Sequence, residues 1–90
     1  MNSYIITYDL IGTSESSADY ERLIERIQTY HWAKLQYSAW IVRSSQSAAQ
    51  IRDYLLAPMD SNDRLFVARL IGEAAWRSTI CSNDWLQSNL

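Results

Sequence analysis

Six blocks of apolar and polar positions succeed one another along this chain, and their periods change from two to three-and-a-half and back. Tyr4-Ile5-Ile6-Thr7-Tyr8 is a run of aromatic and β-branched residues ending in Asp9. It predicts a strand over 4–9, apolar on both faces and therefore central in its sheet. Residues 10–17 carry Gly12 and several Ser and Thr, which predicts a loop with Ser17 as a helix N-cap. Tyr20, Leu23, Ile24 and Ile27 then recur at helical spacing, so a helix is expected over 18–30, with Arg22, Glu25 and Arg26 toward solvent. Residues 32–35 and 38–43 predict two strands joined as a hairpin. A serine-rich turn opens a second helix with Ala48, Ile51 and Leu55 on one side, and Pro58 stops it. Asp60 to Asp63 is a polar turn, Arg64 to Leu70 a fourth strand, and Gly72 its end.

The predicted order is β-α-β-β-α-β. Two split βαβ units of this kind build an α+β, ferredoxin-like fold, an antiparallel sheet with both helices on one face. The domain is expected to span residues 1–71, with an aromatic tail over 72–90. Helices cover one sheet face only, and a bare apolar face needs a partner. A homodimer is the expectation, sheet against sheet, with the tail packing across it and Trp40, Trp76 and Trp85 at the interface.

Composition sharpens this. Ninety residues make a single domain, and 48% apolar with 12% aromatic residues is rich for that size. The net charge of -2 weighs against strong non-specific nucleic-acid binding. Seven of the eight basic residues are Arg, suited to bidentate phosphate contacts and equally to buried ion pairs. The single cysteine, Cys81, permits no internal disulfide and no Cys-based zinc site, so a reducing cytoplasm is the expected setting. Neither a leader peptide nor an apolar run of the ~20 residues needed to cross a bilayer is visible, and no membrane partner is expected.

Few residues carry candidate chemistry. Asp9 stands at the mouth of a sheet beside a loop, where a carboxylate can bind a metal ion, orient water, or simply cap the strand end. His31, the only histidine, can serve as a base near neutral pH, yet between Tyr30 and Trp32 at a helix end it is better suited to satisfying the helix terminus. Tyr8, Tyr37, Ser38 and Arg43 are candidate contacts to phosphate or base, set against the ordinary sheet contacts such positions make. Arg22 and Arg26 share a helix face with Glu21 and Glu25, which reads as a self-neutralised solvent face. Trp76, Ile80, Trp85 and Leu86 form an apolar set in the tail, a partner-binding surface or a packing element.

Tyr4-Ile5-Ile6-Thr7-Tyr8-Asp9-Leu10, Lys34 to Val42 and the acidic turn leading into Arg64–Arg69 resemble, in that order, the small CRISPR-associated endoribonuclease of the adaptation machinery and its VapD-like toxin relatives. The resemblance covers about residues 1–71. It implies a dimer in which two Asp9 carboxylates face each other across the two-fold axis and hold Mg2+ or Mn2+, with Asp9 as catalytic and metal-binding residue and RNA, or else DNA, as substrate. The loop after Asp9 lacks a run of basic residues, and the tail from Glu73 to Leu90 differs from the usual family ending. A non-catalytic dimeric adaptor or regulator, binding a protein partner through the aromatic tail, is the alternative expectation.

Overall fold

The computed structural model describes residues 1–11 and 18–90. The expected Ser17 cap and the loop around Gly12 lie outside the described residues. The elements are β1 (Asn2–Asp9), α1 (Ala18–Ile27), β2 (His31–Gln36), β3 (Ala39–Ser44), α2 (Ala48–Leu56), β4 (Arg64–Leu70) and α3 (Asn83–Asn89). All strand pairings are antiparallel and the sheet order is β2-β3-β1-β4. The fold is ferredoxin-like, and β1 sits inside the sheet as its two-faced apolar pattern requires.

Alternation along the strands divides the residues between two faces. Tyr4, Ile6 and Tyr8 of β1, with Trp40 and Val42 of β3, point toward the helices and pack on Leu23 and Ile27 of α1 and Ile51 and Leu55 of α2. The helices form for local reasons. Asp19 and Glu21 place negative charge in the first turn of α1, where exposed N–H groups favour it. Ser47 caps α2 in a reciprocal box with Gln50, and Ala57 precedes Pro58 at its end. Helix α1 is three residues shorter than its periodicity implies. Thr29 and Tyr30 donate to the carbonyls of Arg26 and Ile27, tightening the chain out of the helix so that His31 opens β2 instead of closing α1.

The second sheet face carries the main departure from expectation. The tail folds back onto it within the same chain and forms a helix that hydrophobic spacing did not reveal. Ile80 and Cys81 donate from their backbone to the carbonyls of Leu35 and Lys34, capping the β2 edge. Ser82 then caps α3 through Trp85 N–H, and Leu86 is completely buried. Trp85 stacks on His31, and Asn89 O accepts from Ser3 Oγ and Arg43 Nη1.

Candidate nucleic-acid site

The sheet register gathers some predicted site residues and scatters others. Asp9 closes β1 directly opposite Arg64 on β4, and the two side chains form an ion pair at 3.7 Å. Both are well exposed, 67% for Asp9 and 73% for Arg64. On the other flank of β1, Ser38 lies in the exposed β2–β3 turn, its carbonyl accepting from Tyr8 N–H at 3.3 Å. Ser38, Asp9 and Arg64 thus share one end of the sheet. A shallow hollow of about 210 Å³ opens there, lined by Thr7, Tyr8, Asp9, Arg64, Leu65 and Phe66.

Below this end Ile11 is held by a different carboxylate. Asp63 accepts from Ile11 N–H at 2.8 Å and from Asp60 N–H at 2.9 Å. It ties the segment after β1 to the turn before β4. Asp63 thus accepts from the backbone, whereas Asp9 points to solvent.

The remaining expected site residues are engaged elsewhere. Tyr8 borders the hollow, but its ring is buried in the core, where its hydroxyl accepts from Trp40 Nε1 at 3.1 Å. Arg43 sits opposite Ser3, six residues along β1 from Asp9, which is about 20 Å at ~3.3 Å per residue. There its guanidinium donates to Ser3 Oγ, Asn89 O and Met1 O, locking the tail to the sheet. Trp40 is only 2% exposed and belongs to the chain's own core, with Trp32 edge-on to it and Lys34 Nζ over its ring. Trp76 donates to Asn83 Oδ1 and Trp85 covers His31, so both indoles pack within this chain. Arg26 departs from the solvent face expected of it, lying over the Tyr54 ring and donating to Tyr54 O.

A larger hollow of about 330 Å³ lies between tail and sheet, lined by Ile5, Ile41, Leu70, Trp76 and Leu86 among others. Its apolar walls mark the seam where the tail packs, and it shares no lining residue with the hollow at Asp9.

A divalent ion does not fit the side chains of one copy. Among the described residues no three His, Cys, Asp or Glu side chains come together to hold one, and Asp9 has a guanidinium for a neighbour. Magnesium or manganese here would need carboxylates from two copies, since such ions take an oxygen-rich shell.

Arg64 and Phe66 were not anticipated. They stand two apart on β4, opposite Asp9 and Thr7 respectively, on the same face. The alternation of Arg64-Leu65-Phe66-Val67 carried that signal, but which face the tail would leave open was not visible in it.

Compared with known protein families, the sequence matches no family model. In structure it is similar to a hypothetical protein, TT1823 from Thermus thermophilus, with a TM-score of 0.66 and 14% sequence identity over 89% of this chain and 95% of that one. At that identity the likeness shows the fold alone. Among the described residues no helix is long and apolar enough to cross a membrane.

Proposed function

We propose that this protein is a homodimeric endoribonuclease of the kind its first strand resembles, the CRISPR-associated and VapD-like group. The observation that carries the reading is the setting of Asp9. A central strand delivers its carboxylate to the sheet's end, exposed and, among the described residues, held by a loose pair with Arg64. Asp63, by contrast, accepts two backbone N–H groups. The ferredoxin-like fold supports the reading as well.

The residues at this end offer two chemical abilities. The Arg64 guanidinium matches phosphate geometry and can hold it bidentately. The Asp9 carboxylate can accept a hydrogen bond from water or from a ribose 2′-hydroxyl, the group that distinguishes RNA from DNA. Each chain supplies one Asp9, so paired action requires two copies. A net charge of -2 means that binding leans on this local arrangement instead of a general basic field. The adaptor reading has less support, because the aromatic tail it relies on is packed against the chain's own sheet.

The test is cleavage of single-stranded RNAs by the full chain, with magnesium, manganese or a chelator, in wild type, Asp9→Asn and Arg64→Ala. An exposed ion pair is worth about 0–1 kcal/mol, so both variants should fold normally. Asp9→Asn is expected to lower cleavage by about 100-fold or more, the range for loss of an acid–base group. Cleavage equal to wild type would remove Asp9 from the reaction. If wild type cut no RNA under any of the three conditions, the nuclease reading would fail.

A further inference from the structure

We propose that Phe66 is a nucleobase-stacking platform beside Arg64, positioning single-stranded RNA at the Asp9 end of the sheet. The inference rests on the RNA-directed reading above and names the substrate contact that reading lacks.

Phe66 is 61% exposed in the middle of a β-strand. Large aromatic side chains on a sheet normally bury their area, as Tyr4, Tyr8 and Trp40 do on the opposite face. The tail, which covers Ile5, Ile41 and Leu70 on this same face, does not bury Phe66. The ring therefore stands open on the uncovered part of an otherwise covered sheet.

Its neighbours give the patch a chemical character. Arg64 precedes it by two residues on the same face, about 7 Å along the strand. Thr7 lies directly opposite Phe66, and Asp9 directly opposite Arg64. An open aromatic ring flanked by a guanidinium and a hydroxyl is the combination that single-stranded nucleic acid uses: a base stacks on the ring, and the cation takes an adjacent phosphate. Arg64 is available for this because its pair with Asp9 is long and exposed, so little is lost when it turns to phosphate. A purely apolar partner would leave that charge pair without a role. Stacking is tolerant of base identity, so Phe66 is expected to raise affinity with little preference among sequences.

The experiment is fluorescence anisotropy with a labelled single-stranded oligoadenylate of about ten nucleotides, within the span such sites cover. It uses the full chain bearing Asp9→Asn to keep the RNA intact, with Phe66 retained, Phe66→Ala or Phe66→Trp. Phe66→Ala should weaken binding by about 5- to 150-fold, Phe66→Trp should preserve it, and Arg64→Ala should reduce the salt slope by about one. Unchanged affinity in Phe66→Ala overturns the proposal, as does absence of any RNA binding. It also fails if Phe66→Ala loses self-association on a sizing column while RNA affinity holds, since the ring then serves a second copy. Binding that depends on Phe66 in a protein that cuts nothing would leave this inference standing and remove the nuclease reading. Cleavage indifferent to Phe66→Ala in the Asp9 protein would do the reverse.

Discussion

Trp85 lies over His31 with ring centroids 5.4 Å apart and planes 25° from parallel, which fastens α3 to the first residue of β2. One helical position further on, Leu86 is wholly buried against the sheet face that the other two helices leave bare. The C-terminal segment is therefore a third layer of the domain. Leu86→Ala is expected to cost about 2–5 kcal/mol, because the packed site cannot collapse around the lost side chain. Trp85→Ala should cost less, about 1 kcal/mol for the ring pair together with some exposed area. Urea midpoints of the two variants check this. A Leu86→Ala protein as stable as wild type would mean that the tail leaves the sheet in solution.

Arg43 supports the same attachment from the other end. Its guanidinium donates to Ser3 Oγ at 3.1 Å, Asn89 O at 2.9 Å and Met1 O at 3.0 Å, joining β3, β1 and the end of α3. Arg43→Ala removes these charge-assisted bonds together and is expected to lower stability by about 1.5–3 kcal/mol. Arg43→Lys should recover little of it, since an ammonium cannot reproduce the fork. Affinity for RNA should not change, because the residue is far from Asp9 along β1. Loss of RNA affinity with unaltered unfolding would restore Arg43 as a nucleic-acid contact.

Much of the architecture was legible because local signals agreed. The run from Tyr4 to Asp9, the helical spacing from Tyr20 to Ile27 and the Ser47–Gln50 box each specify an element without long-range help. Helix α3 was not legible. It is seven residues long, and its main apolar contact, Leu86, matters only once a sheet face waits beneath it. The site was half legible for a related reason. A carboxylate at the end of an apolar strand marks Asp9 as a group set apart, but its facing residue comes from 55 positions away and is fixed by the β1–β4 register. The burial of the Tyr8 ring was not legible, because adjacent strand residues point to opposite faces and the side chain next to that of Asp9 in sequence is directed into the core. Trp40 was misplaced likewise, since a large indole in a strand suits a core as well as an interface.

Tyr30 gives the fold a dependence on alkaline pH. Its ring meets Tyr54 edge-on at 5.9 Å, and its hydroxyl donates to Gln46 Oε1 at 2.8 Å. Burial, and to a lesser degree the neighbouring Tyr54, raise its pKa above the usual 10.0. The folded protein therefore holds the phenolic proton more tightly than the unfolded chain does. The stabilisation is complete below about pH 10, the ordinary tyrosine value, and is lost as pH climbs through the raised folded value. Tyr30→Phe removes the titrating group along with its bond to Gln46. It is expected to be less stable than wild type by about 1 kcal/mol at neutral pH. Above pH 10 its stability should fall less steeply than that of wild type, narrowing the gap. Urea midpoints measured across that range provide the check. Parallel declines in the two proteins would show that other groups govern the alkaline limb and that Tyr30 ionises as freely when folded as when unfolded.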